Sequence, residues 1–208
     1  MKKSLFIATT VLFFAFQLLP LTSQAQERFV LTVFGGANFC QIDGDGDGGY
    51  SHLGLRGGVG TSFALTWDER SPWRMVVELA FTQKGSVIQH ADFRRNIALN
   101  YVELPIMMSY TLLNRQLRLA AGVAPAVQVG AKVMDGGEER PEVEALFRRF
   151  DWLPLTFSIR YLLTENLAVE GRFQYSMLSV TAPANNANVP LGKGDLNRVV
   201  SIGLGYVF

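Results

Sequence analysis

The last thirteen residues, Leu196-Asn-Arg-Val-Val-Ser-Ile-Gly-Leu-Gly-Tyr-Val-Phe208, alternate between two kinds of side chain. Every second position is mostly large and apolar, and the positions between them carry smaller or polar side chains with two valines. Successive side chains point to opposite faces only in a β-strand. The stretch therefore predicts a strand whose apolar face consists of Leu196, Arg198, Val200, Ile202, Leu204, Tyr206 and Phe208.

The same period of two recurs in seven earlier segments. These segments are roughly 10 to 15 residues long, whereas a globular strand has about 5 to 6 residues and a tilted membrane-spanning strand about 9 to 11. The pattern predicts an all-β fold, an eight-stranded antiparallel up-and-down transmembrane β-barrel. The seven earlier strands are predicted at Arg28–Phe39, His52–Thr66, Trp73–Lys84, Ala98–Thr111, Gln116–Val129, Phe150–Leu162 and Asn166–Met177.

The predicted connections alternate in length. Outer-membrane barrels have short periplasmic turns and longer extracellular loops, so this asymmetry favours that class and places both termini in the periplasm. The short turns are predicted at Asp68–Pro72, Leu113–Arg115 and Thr164–Asn166, and the long loops at Cys40–Ser51, Gly85–Ile97, Lys132–Arg149 and Ser179–Asp195.

The first 25 residues have the features of a cleaved signal peptide. Lys2 and Lys3 precede an apolar run from Leu5 to Leu19, and Ser23-Gln24-Ala25 gives the small-x-small pattern of a cleavage site. We therefore expect residues 1–25 to be removed and residues 26–208 to form one barrel domain. Cys40, the only cysteine, offers neither a lipoprotein start nor an internal disulfide. A formal net charge of +1 and the lack of a basic run argue against nucleic acid as a partner.

The composition of the two faces predicts which of them meets lipid. The polar faces combine small residues with charges of both signs, as expected for a narrow filled interior, whereas a water-facing surface more often carries many Lys and Glu with few Gly. Aromatic residues near strand ends match the girdles of membrane barrels. The alternative is a soluble periplasmic barrel that binds a small apolar ligand, which membrane fractionation would distinguish. The aromatic set is Phe29, Trp67, Trp73, Tyr110, Trp152, Tyr161, Tyr206 and Phe208.

The inward-facing charges predict an ion network in the lumen. Glu78 and Glu103 fall on adjacent strands, and arginines on the same face are their expected partners. Paired carboxylates can perform acid–base chemistry, but neighbouring arginines hold them ionised, which favours structural salt bridges. The predicted network comprises Arg56, Arg74, Glu78, Glu103, Arg118, Arg160, Glu170 and Arg172.

Two further motifs are candidates for binding or recognition. Leu204, Tyr206 and the terminal Phe208 resemble the C-terminal signal that the barrel-assembly machinery recognises. Asp43, Asp45 and Asp47, spaced by glycines, form a weak calcium candidate, because the EF-hand pattern requires a glutamate where Gly54 stands. We favour a solvated loop there, without a bound metal or cofactor.

Three segments together resemble the PorT-type outer-membrane β-barrel family of Bacteroidetes. They are Gly35–Phe39 with the following Ile42–Gly46, then Glu78–Ser86, and then Asn100–Pro105. The resemblance covers nearly the whole mature chain and implies a barrel integral to the outer membrane. The founding member of that family is associated with secretion of surface proteases through the type IX system.

These observations predict a protein that acts through its surface. An eight-stranded barrel is just wide enough for its own side chains, so a large diffusion pore is not expected. His52 and His90 are the only histidines, and no nucleophile and base are grouped beside them, so we expect no enzymatic activity. The expected role is structural, adhesive or accessory to secretion or assembly. The expected partners are outer-membrane lipid, the barrel-assembly machinery, and secretion-system or surface proteins that contact the outer loops.

Overall fold

The computed structural model describes residues 29–44, 49–65, 71–90, 93–113, 115–181 and 194–208. The predicted signal peptide, Trp67, Asp45 and Asp47 lie outside these ranges. The described residues form twelve strand segments, all paired in one antiparallel sheet. The segments are β1 (Phe29–Asp43), β2 (His52–Ala64), β3 (Trp73–His90), β4 (Phe93–Glu103), β5 (Ile106–Leu112), β6 (Leu117–Val123), β7 (Ala126–Asp135), β8 (Glu138–Glu139), β9 (Phe150–Asp151), β10 (Pro154–Leu162), β11 (Leu167–Ser176) and β12 (Leu196–Val207).

The long segments join into a closed ring of eight spans. Segments β4 and β5 pair with consecutive parts of β3, and therefore act as one span. Segments β6 and β7 act as a second composite span, and β9 and β10 as a third. The ring closes where β1 pairs with β12, from Thr32 opposite Val207 to Asp43 opposite Leu196. Each span therefore pairs with its neighbours in sequence, and the predicted eight-stranded up-and-down barrel is confirmed.

Prolines interrupt the three composite spans. Pro105 separates β4 from β5, Pro125 separates β6 from β7, and Pro154 begins β10. A proline cannot donate a ladder hydrogen bond, but its carbonyl still accepts one. The backbone amide of Glu78 donates to Pro105 at 2.9 Å, and that of Leu104 donates to Pro125 at 2.9 Å. The barrel wall stays closed across these interruptions.

The strands at the extracellular end are longer than the sequence pattern predicted. The prediction of a loop over Gly85–Ile97 is wrong, because β3 continues to His90 and pairs with β4, which begins at Phe93. The predicted Lys132–Arg149 loop likewise begins later, since β7 extends to Asp135 opposite Arg95. Inward-facing apolar side chains on both arms of the hairpin hold this extension together; among them are Ile88 and Ile97. A single helical turn, α1 (Pro141–Glu144), follows β8, and no helix in the described ranges is long and apolar enough to cross a membrane.

The apolar face of the wall points outward. Leu79 is 53% exposed and Leu204 is 54% exposed, whereas Glu103 is 1% exposed and Arg172 is 5% exposed. A soluble barrel would have the opposite arrangement. The outward face therefore has the polarity that a lipid-facing wall requires.

Aromatic pairs lie at the ends of the spans. The rings of Trp73 and Tyr110 are 4.8 Å apart between centroids, and those of Tyr206 and Phe208 are 4.9 Å apart; both pairs are at the periplasmic end. Trp152 stacks on Phe150 at 5.2 Å near the extracellular end. Amphipathic rings at both rims match the interfacial girdles of membrane barrels.

Candidate functional site in the barrel lumen

The centre of the lumen contains one compact ion cluster. Three guanidinium groups surround two carboxylates, and every side chain is at most 8% exposed. Arg56 on β2 and Glu78 on β3 come from one wall, and the others come from β10 and β11. Each of them lies at a position whose side chain the pleat turns inward. The cluster consists of Arg56, Glu78, Arg160, Glu170 and Arg172.

The ion pairs of the cluster cross the lumen. Arg160 Nη2 lies 3.4 Å from Glu78 Oε1, which connects β10 to β3 on the opposite side of the ring. Arg172 Nη2 lies 2.9 Å from the same oxygen, and Arg56 Nη1 lies 3.3 Å from Glu170 Oε1. Within the far wall, Arg160 Nε donates to Glu170 Oε2 at 2.7 Å. Charged groups at membrane depth are tolerated when they face the interior and are paired, and both conditions hold here.

Glu103 belongs to a separate pair. Its carboxylate lies 2.7 Å from Lys84 Nζ, with both side chains almost fully buried, and Gln174 donates to its other oxygen at 3.3 Å. The prediction of an arginine partner for Glu103 is therefore wrong. The register sets Glu103 opposite Ala80, nearer the extracellular end than Glu78. The inward-facing cation of β3 at that end is Lys84.

Arg74 and Arg118 lie nearer the periplasmic end and do not join the central cluster. Arg74 donates to the Ser62 carbonyl at 2.9 Å, and Arg118 donates to the Ser62 hydroxyl at 3.3 Å. The eight predicted network residues are therefore all inward-facing, but they divide into three groups at different heights. The sequence predicts that each of these charged side chains faces inward, but it does not predict at which level along the barrel axis each one lies.

Asn38 forms a hydrogen-bonded clamp that sequence reasoning missed. Its amide donates to Thr82 Oγ1 at 2.8 Å and to the Gln83 carbonyl at 2.9 Å, and it accepts from Ser201 Oγ at 2.8 Å. These bonds connect β1 with β3 and β12. Asn38 and Thr82 lie within the segments that resemble the PorT-type family, as do Lys84 and Glu103. The short motifs thus supply much of the polar interior. The presence of Asn38 and Thr82 in these motifs was the sequence signal that could have identified the clamp.

The lumen changes character near its extracellular end. Above the Lys84–Glu103 pair a group of apolar side chains lies buried in the lumen, beside the buried polar side chains of Ser86 and Asn197. The sequence analysis did not predict this apolar group. The helical turn α1 and the residues after it pack over this region, and Val133 N donates to Glu144 Oε1 at 3.0 Å. The buried apolar set is Ile42, Ile88, Ile97, Leu99, Tyr101, Ala126 and Val133, with Ala131, Val143 and Phe147 packed against it.

A surface ion pair braces this extracellular extension. Two nitrogens of Arg95 lie 2.7 Å from the two carboxylate oxygens of Asp135. The hydrogen bond to Arg95 lowers the pKa of the Asp135 carboxyl, and the same bond raises the pKa of Arg95. The pair therefore keeps both charges at neutral pH and ties β4 to β7 above the main part of the wall.

The remaining candidate residues lie at the rims. Asp43 is paired with Arg198 at 2.5 Å and accepts a hydrogen bond from Gln41, so its carboxylate already has partners within the chain. In the described ranges no group of three His, Cys, Asp or Glu side chains is arranged to hold a metal ion. Leu204, Tyr206 and Phe208 share the outward face of β12, and the amide of Phe208 donates to Leu31 at 2.9 Å. Recognition by the barrel-assembly machinery stays a prediction.

The structure is thus a filled barrel with paired charges inside and an apolar wall outside. The family model described as "Outer membrane protein beta-barrel domain" matches residues 23–182. The chain belongs to this family. As a member of the outer membrane protein β-barrel domain family, it is an integral protein of the bacterial outer membrane. No curated protein sequence matches the chain.

Solved structures with the same fold are distant in sequence. Ail, the attachment invasion locus protein of Yersinia pestis, is 11% identical in a complex with the heparin analogue sucrose octasulfate, with a TM-score of 0.52 over 87% of this chain and 99% of Ail. A second structure of Ail is 13% identical with a TM-score of 0.52 over the same shares of the two chains. Neisserial surface protein A is 12% identical with a TM-score of 0.45, over 88% of this chain and 98% of its own. At these identities the likeness to Ail shows the fold alone, and nothing supports the soluble alternative.

Proposed function

We propose that this outer-membrane barrel is a closed, non-enzymatic protein that works through its extracellular rim, as a structural, adhesive or secretion-accessory component. The observation that carries the proposal is the set of ion pairs across the lumen. Arg160 and Arg172 contact Glu78 from the opposite wall, so charged side chains fill the centre of the barrel. A lumen filled in this way provides no aqueous path for a solute.

The electrostatics of the cluster also support the absence of catalysis. A general acid or base must lie within hydrogen-bond reach of a substrate. Each carboxylate of the cluster is in contact with three guanidinium groups of the chain, and all five side chains are at most 8% exposed, which leaves no access for a substrate. These glutamates therefore serve as structural anions in the proposal.

Conductance measurements test whether the barrel is closed. The purified protein is reconstituted in planar lipid bilayers, and folding is checked by its heat-dependent gel mobility. We expect no stepwise conductance above the bare bilayer, while a general porin inserted in the same lipid gives discrete steps. Unitary steps from the folded wild-type barrel would contradict the proposal.

Site-specific photocrosslinking in cells tests whether the rim carries the function. A photoreactive residue replaces Leu146, which is exposed beside α1, and Leu163 in a periplasmic turn provides the matched control. We expect protein adducts that depend on the position at Leu146 and are missing at Leu163. Adducts at Leu163 only would place the working surface in the periplasm and overturn this part of the proposal.

We further propose that, within its family, the chain is of the PorT type of Bacteroidetes. The segments Gly35–Phe39, Glu78–Ser86 and Asn100–Pro105 support this assignment, because they carry the inward-facing residues that connect the spans. Deletion of the gene, followed by analysis of secreted surface proteases, tests the secretion-accessory role. Unchanged protease secretion would leave the structural and adhesive roles and remove this one.

A further inference from the structure

A pocket of about 210 Å³ lies at the extracellular mouth of the barrel. Its floor is formed by isoleucines of three spans, and one side is formed by α1 and the residues that follow it. Three of the described lining residues have polar side chains, namely Arg95, Thr181 and Asp195. The described residues that line it are Ile42, Ile88, Arg95, Ile97, Val143, Leu146, Phe147, Thr181 and Asp195.

The pocket lies above the lipid-facing part of the wall. On β3 the outward-facing residue changes from the exposed Phe81 to Gln83, and on β4 it changes from the exposed Val102 to Asn100. Ile88 and Ile97 lie farther along the same hairpin, beyond this change. A molecule therefore reaches the pocket from the external medium and not from the bilayer.

The pocket ends inside the barrel. Leu99 and Tyr101 are fully buried below its floor, and the Lys84–Glu103 ion pair occupies the next level. A cavity closed at its inner end binds a molecule without passing it onward. It is therefore a binding pocket and not the entrance of a channel.

The walls of the pocket are connected to each other. Val133 N donates to Glu144 on α1, and Arg148 N donates to the Val180 carbonyl at 2.7 Å. Phe147 and Thr181 form a β-bridge between two extracellular loops. Protein interiors contain few voids larger than a water molecule, and an apolar cavity of about 150 Å³ stays dry and takes up benzene. A pocket of this size thus provides space for a ligand.

The polar lining indicates the charge of the ligand. Arg95 is bound by Asp135 through two hydrogen bonds, and Asp195 accepts from Thr181 Oγ1 at 2.6 Å. Asp135 balances the charge of Arg95, whereas Asp195, among the described residues, accepts only from a neutral hydroxyl and keeps its negative charge, so the lining disfavours an anionic ligand. The other described lining side chains are apolar apart from the Thr181 hydroxyl, which favours a neutral ligand. We propose that this pocket binds a small neutral apolar molecule, with the volume of a single aromatic ring or a short branched alkyl group, taken from the external medium. The proposal does not depend on the role of the rim in protein contacts.

Isoleucine methyl NMR tests the proposal with an internal control. The described residues include three isoleucines at the pocket and three on the exposed wall, namely Ile106, Ile159 and Ile202. The barrel, labelled at isoleucine methyl groups and placed in lipid nanodiscs, is titrated with indole. We expect saturable shifts at Ile42, Ile88 and Ile97, and only linear changes at the wall isoleucines from indole that partitions into lipid.

Two filling variants and one matched variant complete the design. Val143→Phe fills the pocket from the helix side and Ile88→Phe fills it from the strand side, whereas Val59→Phe adds a ring to the exposed wall. The first two are expected to lose the saturable shifts at the remaining pocket methyl groups, and the third to keep them. Shifts at the pocket methyl groups that stay linear in the folded wild type would overturn the proposal. So would saturable shifts that survive in both filling variants.

Discussion

Lys84 and Glu103 form a buried ion pair inside the barrel. Both side chains are at most 1% exposed, and their charged atoms are 2.7 Å apart. Burying an isolated charge is far more costly than burying a matched pair. Loss of either partner therefore harms the fold more than loss of both.

We predict that Glu103→Leu lowers the free energy of unfolding by about 3–5 kcal/mol, because it leaves the Lys84 ammonium buried without its anion. The double variant Lys84→Met/Glu103→Leu is expected to recover most of that loss. Urea unfolding in lipid vesicles, followed by tryptophan fluorescence, measures both. Glu138→Leu on the exposed β8 hairpin is the control and should change little. Equal losses in the single and double variants would show that the ion pair is not the cause.

Sequence alternation predicts the face of these residues but not their partners. The inward direction of Glu103 follows from Val102 and Leu104 on either side of it. Its pairing with Lys84 depends on the register between β3 and β4, which alternation leaves open. For the same reason, Arg74 and Arg118 could be placed inside the lumen but not at the height of Ser62.

At the scale of strands, close approach of backbones requires particular glycines. A Cβ atom at Gly36 on β1 would collide with the Ile202 carbonyl oxygen and would lie 2.6 Å from Gly203 Cα on β12. A Cβ atom at Gly171 on β11 would have nothing within 4 Å. Both glycines lie in strands, but only Gly171 has room for a Cβ atom.

We predict that Gly36→Ala destabilises the barrel by about 1–3 kcal/mol, because β1 and β12 must separate to admit the methyl group. Gly171→Ala should be neutral or slightly stabilising, since glycine is unfavourable in a strand by roughly 0.5–1 kcal/mol relative to alanine. The ratio of folded to unfolded bands in unheated gels, over a urea series, measures both. Equal behaviour of the two variants would argue against the close approach.

Strand ends were the least predictable elements. The breaks at Pro105 and Pro125 can be predicted from the sequence alone, because proline has no amide hydrogen to donate to the strand ladder. The sequence does not predict that β3 continues beyond Gly85 or that β4 begins before Ile97, because small and polar residues in this segment resemble a loop. The reason for the extension is tertiary: Ile88 and Ile97 become buried against Ile42 and Val133 from other spans. Local pattern does not contain that information.

At the scale of the whole molecule, closure of the ring determines what each face meets. With β1 paired to β12, no long edge is left between the first and last spans, and the outward face becomes one continuous apolar belt. The lumen in turn is divided into an ionic centre and a mouth in which most of the buried side chains are apolar. Closure of the ring could be predicted from the sequence, because the pattern gives an even number of spans. The division of the lumen could not be predicted, because it depends on which spans extend beyond the membrane.

The belt makes the cost of a charge depend on its depth in the membrane. Ile202 is 56% exposed and faces outward near the middle of β12, whereas Leu163 is 54% exposed in a periplasmic turn. Arginine at the middle of the bilayer on a barrel wall costs about 2–4 kcal/mol, and close to the interface about 0–1 kcal/mol. We predict that Ile202→Arg lowers the free energy of unfolding in phospholipid vesicles by about 2–4 kcal/mol, and that Leu163→Arg lowers it by about 0–1 kcal/mol.

The measurement is reversible urea unfolding of each variant in vesicles, with the wild type as reference. Repeating it in bilayers with longer acyl chains separates lipid contact from other effects, because a thicker hydrocarbon layer places the arginine farther from water. The penalty for Ile202→Arg should then increase, while that for Leu163→Arg stays small. If both variants lose the same stability in both lipids, the outward face of β12 does not contact hydrocarbon, and the apolar belt cannot be the surface that holds this protein in the membrane.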